Sequence, residues 1–162
     1  MDETLVHCCD DIFSSKPDII IPVTFPTGET VEAGIKIRPY AKEWLEEVNK
    51  NFEVMVFTAS HPCYANVVLD HLDPDGTLIH HRLYRDNWIE VEGIYIKDLR
   101  VISNRNLKDM VLVDNAAYSF GYQINNGIPI ISWHDDRSDV ELMNLMKYIK
   151  LLVNVPDVRV VN

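Results

Sequence analysis

Three short, almost wholly apolar runs constrain the fold of this chain more than any other feature. They lie at residues 54–57, 110–113 and 128–131. Apolar runs of this length without alternation are typical of strands that are buried on both faces of a parallel sheet. Segments with a helical pattern alternate with them, at residues 40–49, 62–72 and 138–149. Strands that alternate with helices predict a three-layer α/β fold with a mostly parallel central sheet.

Two other regions predict antiparallel strands. Residues 19–25 and 30–37 flank a short turn that contains a glycine, and this pattern predicts a hairpin. Residues 78–98 predict short strands around a Glu92-Gly93 turn, which would form a small β insertion. Farther along, the segment from Ser138 to Glu141 has the pattern of a capping box and predicts the start of the last helix.

Length, charge and cysteines limit the class of protein. With 162 residues, we expect one domain spanning 1–162 that buries a core of its own. The formal charge of −10 argues against nucleic acid as a direct partner, because phosphate backbones bind clustered Lys and Arg. No apolar run approaches the roughly 18 residues of a membrane span. An odd cysteine count with the adjacent pair Cys8 and Cys9 favours reduced thiols and an intracellular location, nuclear or cytoplasmic, with mitochondria left open.

Polar residues follow the predicted strands, where parallel α/β sheets place their chemistry. Thr58 follows the first apolar run, and Asp114 and Asn115 follow the second. Carboxylate and amide oxygens are ligands that Mg²⁺ accepts, whereas a hydroxyl such as Thr58 and an ammonium such as Lys97 bind phosphate oxygens. The pattern therefore predicts a magnesium and phosphate site, and Asp2 begins a segment with the composition of another strand-end loop.

Six stretches of the sequence carry a more specific resemblance that covers nearly the whole chain. They are DETLVH (2–7), VFTAS (56–60), RLYR (82–85), YIKDL (95–99), LVDN (112–115) and PIISW (129–133). They resemble the small C-terminal-domain phosphatases, the FCP/SCP branch of the haloacid-dehalogenase-like (HAD-like) superfamily. The resemblance implies a HAD-like Rossmannoid fold. It also implies an Mg²⁺-dependent protein serine/threonine phosphatase that acts on phosphopeptide segments through an aspartyl-phosphate.

The resemblance also implies the roles of four residues in the chemistry. The first motif of the family has the form Asp-x-Asp-x-Thr, and its second aspartate and its threonine correspond to Asp2 and Thr4. In the family, that aspartate protonates the leaving oxygen, activates water and offers its backbone carbonyl to Mg²⁺. The phosphate-binding hydroxyl corresponds to Thr58, and the lysine that neutralises the phosphoryl group corresponds to Lys97.

Metal and substrate residues follow from the same resemblance. Asn115 resembles the metal ligand of the fourth motif, and Asp114 is its neighbour. Arg85 resembles the arginine that holds the substrate peptide, and Tyr64 resembles an aromatic residue of the peptide-binding groove. The family usually continues after this asparagine with Ser-Pro, but here Ala116-Ala117 follows, so the sequence departs from the family pattern in this loop.

The nucleophilic aspartate of the family would stand two positions before Asp2, ahead of Met1. The apolar strand that leads into it, which is central to the sheet, would also precede Met1. We therefore expect residues 1–162 to lack the first central strand, to show little or no turnover, and to be poorly stable or aggregation-prone. Three explanations stay open: a fragment or mis-assigned start of an active parent, a natural non-catalytic relative, or a substitute carboxylate such as Asp10 or Asp11.

A second class of function is a non-catalytic binding module. The same family includes a mitochondrial import component that binds presequences, so the alternative is a relative that binds phosphopeptides or presequences without turnover. Whether the protein is an enzyme depends on the residue two positions before Asp2. His61 and Cys63 could suggest a thiol nucleophile or zinc, but they lack partners in the sequence. His80, His81 and Arg82 fit either a solvated strand edge or a patch that steers a phosphopeptide.

Overall fold

The computed structural model describes residues 1–91 and 93–162, and strands alternate with helices as predicted. The strands are β1 (Val6–Cys8), β2 (Ile19–Thr24), β3 (Thr30–Ile37), β4 (Met55–Phe57), β5 (His81–Leu83), β6 (Ile89–Val91), β7 (Ile94–Ile96), β8 (Leu112–Asp114) and β9 (Gly127–Pro129). The α-helices are α1 (Ala41–Val48), α2 (Pro62–Leu72), α3 (Glu141–Ile149) and α4 (Val158–Val161). Single 3-10 turns lie at Arg85–Asn87, Leu99–Val101, Leu107–Asp109, Ala117–Phe120, Ile124–Asn126 and Lys150–Leu152.

The predicted hairpin forms two strands of an antiparallel sheet with the order β1-β3-β2. Ile19 pairs with Ile35 and Thr24 pairs with Thr30, so a short turn joins the two strands. In the order β1-β3-β2, β2 is an edge strand. Pro22 lies on this edge strand, where a residue without an N–H group is tolerated. The third strand, β1, was not predicted, and it joins the segment that begins at Asp2 to this sheet.

The parallel part of the fold consists of two separate pairs of strands. β4 pairs with β5, and β8 pairs with β9, both in parallel. No backbone hydrogen bond joins β4 to β8 within the described residues. A cleft of about 410 Å³ lies between them, lined by apolar side chains such as Val54, Val56 and Leu112. The described strands thus form two separate parallel pairs with the cleft between them.

Amphipathic helices cover the core. α1 buries Ala41, Trp44, Leu45 and Val48, as its periodicity predicts, and it packs on α3. The predicted capping box at the start of α3 is wrong. The hydroxyl of Ser138 donates to Asp136 at 2.6 Å, while Asp139 Oδ1 accepts the backbone N–H of Glu141 at 3.2 Å. The Ser138 side chain therefore hydrogen-bonds within its own loop and does not cap the helix.

The β insertion is the antiparallel pair β6–β7, with Ile89 opposite Ile96. Gly93 has a φ of +79°, which suits glycine at a tight turn, and Glu92 of the predicted turn lies outside the described residues. Every helix within residues 1–91 and 93–162 is too short or too polar to cross a lipid bilayer.

Candidate functional site

The carboxylate of Asp2 is held by two hydroxyl groups from other parts of the chain. Ser60, just after β4, donates to Oδ2 at 2.7 Å, and Tyr64, in the first turn of α2, donates to Oδ1 at 3.0 Å. Burial and then the nearby Asp2 charge raise the pKa of Tyr64 far above its usual range. The tyrosine therefore stays a hydrogen-bond donor, and both carboxylate oxygens have a fixed partner.

The backbone around Asp2 leaves one carbonyl free. The carbonyl of Glu3 accepts the Trp133 N–H at 2.8 Å, and the carbonyl of Leu5 accepts the Arg38 N–H at 3.0 Å. The carbonyl of Thr4 accepts a side-chain N–H of Arg38 at 3.2 Å. By contrast, the Asp2 carbonyl accepts no hydrogen bond from any residue that the structure describes. It is thus available as an oxygen ligand.

Lys97 and Asp114 form a buried ion pair at the ends of two strands. Lys97 follows β7 and Asp114 ends β8, and their side chains are only 6% and 5% exposed. The ammonium lies 5.0 Å from the centre of the Trp88 ring, in cation–π range. The second carboxylate oxygen of Asp114 accepts the N–H of Ala116 at 2.8 Å. Asp114 is the only acceptor of Lys97 within the described residues, so two of the three ammonium hydrogens stay available.

Asn115 connects the loop of Asp2 with the end of β9. Its side-chain N–H donates to Ser132 at 3.1 Å, which orients the amide. Its Oδ1 receives only a long hydrogen bond of 3.4 Å from the hydroxyl of Thr4. Asn115 therefore presents an amide oxygen that is loosely held and close to the Asp2 loop.

The oxygen atoms of this region fit a hydrated magnesium ion. The free Asp2 carbonyl, the loosely held Asn115 oxygen and the Asp114 carboxylate are all hard ligands, and Mg²⁺ usually keeps several waters. Among residues 1–91 and 93–162, no group of three or more His, Cys, Asp and Glu side chains could hold a metal. The oxygen donors of this region are therefore an amide, a backbone carbonyl and one carboxylate.

Thr58 lies in the loop that follows β4, and Arg85 begins the 3-10 turn that follows β5. Thr58 is buried, its hydroxyl accepts the Ser60 N–H at 3.1 Å, and its carbonyl accepts the indole N–H of Trp88 at 3.1 Å. Arg85 is exposed and donates through Nε to the carbonyl of Ala59 at 2.9 Å. No carboxylate within the described residues pairs with its guanidinium, and its hydrogen bond is the one to Ala59.

These contacts join most of the predicted residues into one connected ring, while Tyr64 branches from Asp2 and Arg85 lies outside it. Asp2 is linked through Ser60 to Thr58, Thr58 through Trp88 to Lys97, and Lys97 to Asp114. The ring closes from Asn115, the neighbour of Asp114, through Thr4 back to Asp2. Two of its members, Ser60 and Trp88, and the Asn115 partner Ser132 were not among the predicted site residues. Ser60 and Ser132 do stand in strand-end segments and within the VFTAS and PIISW stretches, and these are the signals that could have identified them.

Other candidates lie outside this ring. Nδ1 of His61 contacts Cys63 Sγ at 2.9 Å at the start of α2, and no described residue adds a third metal-binding side chain. His81 pairs with Glu53 at 3.0 Å, and Arg82 pairs with Asp70 at 2.8 Å. Because Glu53 and Asp70 already pair with His81 and Arg82, the geometry favours a local structural role for these basic side chains over steering of a substrate.

Carboxylate, hydroxyl, amide and ammonium groups thus lie at the strand ends of an α/β domain. The solved structures agree on the fold. The fission yeast RNA polymerase II CTD phosphatase Fcp1 bound to beryllium fluoride superimposes with a TM-score of 0.70 at 20% identity, covering 94% of this chain and 49% of that one. A second structure of Fcp1 gives the same TM-score at 21% identity. The fold of this chain is therefore HAD-like.

The family follows from sequence comparison. The family model described as NLI interacting factor-like phosphatase matches residues 1–159, and the chain belongs to this family. It is 45% identical over 159 residues to CTD small phosphatase-like protein 2 of Dictyostelium discoideum, covering 98% of this chain and 27% of that protein. It is 41% identical to CTD small phosphatase-like protein 3 of Caenorhabditis elegans, covering 94% of this chain and 52% of that protein. The chain thus spans about half or less of these relatives.

Proposed function

We propose that residues 1–162 form one domain of an Mg²⁺-dependent protein serine/threonine phosphatase. The ring of contacts that joins Asp2, Thr58, Lys97 and Asn115 carries this proposal. The ring supports the proposal because a carboxylate, a hydroxyl and a cation lie around one edge of the parallel strands, and phosphoryl transfer needs positioning and charge compensation. Membership in the phosphatase family supports the same reaction class.

Each residue has a defined part in this proposal. Asp2 gives its proton to the leaving oxygen of the substrate and then takes one from water, while Ser60 and Tyr64 fix the direction of its carboxylate. Thr58 and Lys97 bind the oxygens of the phosphoryl group. Bound Mg²⁺, held by the Asp2 carbonyl and Asn115 with Asp114 beside them, would neutralise charge on the phosphoryl oxygens.

The aspartyl-phosphate of this mechanism needs a nucleophile two positions before Asp2. A polypeptide with an aspartate at that position is expected to turn over, and residues 1–162 alone are expected to show little or no turnover. Asp10 and Asp11 are poor substitutes, because both are exposed in the loop after β1. Asp11 also accepts hydrogen bonds from Phe13 and Ser14 of its own loop.

The proposed substrate is a phosphorylated serine or threonine in an extended protein segment. Arg85 supports this choice, because it is exposed beside the Thr58 loop and can hold a peptide carbonyl or a second anion. The names of the relatives, which are CTD phosphatases, point the same way. The three free cysteines, Cys8, Cys9 and Cys63, support a reducing compartment, and nucleus, cytoplasm and mitochondria are all compatible with it.

Hydrolysis of a phosphoserine peptide tests the proposal. The polypeptide would carry an apolar strand that ends in Asp-Leu directly before Asp2, and release of phosphate would be measured with and without Mg²⁺. We expect Mg²⁺-dependent turnover that Asp2→Asn lowers by about 10²–10⁴-fold, whereas Asp10→Asn, a carboxylate in an exposed loop, serves as the matched control. If the extended polypeptide folds but releases no phosphate, the non-catalytic binding module becomes the better account.

A further inference from the structure

Arg38 is a buried cation outside the ring of site residues. It follows β3, and its side chain is 0% exposed. Its Nε and Nη2 donate to the two carboxylate oxygens of Asp139, both at 2.8 Å, which is the bidentate geometry that favours arginine. The third nitrogen, Nη1, donates to the carbonyl of Thr4 at 3.2 Å. All three nitrogens of the guanidinium are therefore used.

The backbone that Arg38 holds is an unfavourable one. Glu3, between Asp2 and Thr4, has a φ of +51°, in the left-handed region that non-glycine residues rarely adopt. Such a conformation persists only where the surroundings fix it. Here two hydrogen bonds fix the backbone. The Glu3 carbonyl accepts the Trp133 N–H, and the Thr4 carbonyl accepts a side-chain N–H of Arg38. The strained turn directs the side chains of Asp2 and Thr4 toward Ser60 and Asn115.

We infer that Arg38 is a positioning residue for the Asp2–Thr4 turn and acts together with Asp139. Asp139 accepts the N–H of Glu141 and so joins Arg38 to the start of α3. The turn is thereby fixed against the last long helix, while the Asp2 carbonyl accepts no hydrogen bond from residues 1–91 or 93–162. This inference deepens the proposed function, on which it rests, because the same turn supplies the acid–base carboxylate and a metal ligand.

Arg38→Lys is the variant that tests this role. Lysine keeps the charge but has one nitrogen, so it cannot hold both oxygens of Asp139 and the Thr4 carbonyl in one plane. Arg137→Lys is the matched control. Arg137 also makes a bidentate pair, with Asp18 at 2.8 and 2.9 Å, and it also joins the loop before α3 to the hairpin, but it does not touch the turn. Leu145→Ala, in the core of α3, controls for general loss of stability.

Two measurements on residues 1–162 separate positioning from stability. Amide hydrogen exchange of Leu5, Val6 and Trp133, whose N–H groups bond within the turn, is expected to be at least tenfold faster in Arg38→Lys than in either control. Titration with Mg²⁺ is expected to give a Kd at least fivefold higher in Arg38→Lys, and a change below twofold in Arg137→Lys.

The outcomes distinguish this inference from the proposed function. If exchange at these amides in Arg38→Lys equals that in the wild type or in Leu145→Ala, the positioning role is overturned whether or not Mg²⁺ binds. If the wild-type chain binds no Mg²⁺ at millimolar concentration, the proposed metal site is wrong, and the exchange rates alone decide the role of Arg38. Faster amide exchange together with a higher Kd for Mg²⁺ in Arg38→Lys supports both the positioning role and the proposed metal site.

Discussion

Replacing Lys97 with methionine tests whether the ion pair with Asp114 is as buried as the structure shows. Both side chains are about 95% shielded from solvent, with exposures of 6% and 5%. Removing one partner of such a pair leaves a buried charge without compensation, which typically costs about 3–5 kcal/mol of unfolding free energy. That loss is a large share of a total stability of about 5–15 kcal/mol. Lys97→Met should therefore be strongly destabilised.

The double variant Lys97→Met/Asp114→Leu isolates the interaction. Replacing a whole buried pair with apolar residues of similar volume is often neutral or stabilising. Asp114 also accepts the Ala116 N–H, and losing that bond costs about 1 kcal/mol. We therefore expect the double variant to unfold with a free energy within about 1–2 kcal/mol of the wild type, which makes the coupling between the two positions several kcal/mol.

Urea unfolding followed by tryptophan fluorescence measures these differences. Lys150→Met is the control, because Lys150 pairs with Glu47 at 2.7 Å with 54% of its side chain exposed, and surface pairs contribute little. A loss below about 1 kcal/mol in Lys97→Met, with no coupling to Asp114, would show that solvent reaches the pair. In that case the electrostatic argument for the site fails.

Three further outcomes follow from the structure. Burial alone would raise the pKa of Asp73, but three backbone N–H donors, from Thr77, Leu78 and Ile79, outweigh it and hold the pKa below its ordinary value. Asp73→Asn should therefore lower the unfolding free energy by about 1–3 kcal/mol above pH 5. This difference from the wild type should shrink below pH 4, where the wild-type carboxyl becomes protonated, and a difference independent of pH contradicts the reasoning. In the extended polypeptide, Arg85→Ala should weaken phosphopeptide substrates more than p-nitrophenyl phosphate, and equal losses on both argue against a peptide-holding role. Residues 1–162 should bind a hydrophobic dye in the cleft between β4 and β8 and aggregate on heating, whereas high solubility with a sharp melt above about 55 °C refutes the expected instability.

Much of the fold could be predicted because its signals are local. The amphipathic face of α1, the apolar run at β4 and the turn of the β2–β3 hairpin each lie within a dozen residues, and the structure confirms all three. β1 was missed because three residues carry too little periodicity to identify a strand. The start of α3 was misjudged because Ser138 had two possible partners, and sequence alone does not show that it bonds to Asp136.

The site is less accessible to sequence reasoning. Strand-end logic and the family motifs singled out Asp2, Thr58, Lys97 and Asn115, and the structure connects them. Ser60 and Tyr64 become partners of Asp2 only when β4, α2 and the first turn meet, and sequence separations of 58 and 62 residues hide that meeting. Arg38 was missed for the same reason, since its partner Asp139 lies 101 residues away and nothing in the local sequence marks it.

The most direct test of the account is Mg²⁺-dependent hydrolysis of p-nitrophenyl phosphate by residues 1–162 and by the form extended with an apolar strand that ends in Asp-Leu directly before Asp2. The account predicts turnover in the extended form only, with the cleft between β4 and β8 filled and the melting temperature raised. Equal turnover in both forms, abolished in each by Asp2→Asn, would contradict it, because another residue of the chain would then have to act as the nucleophile.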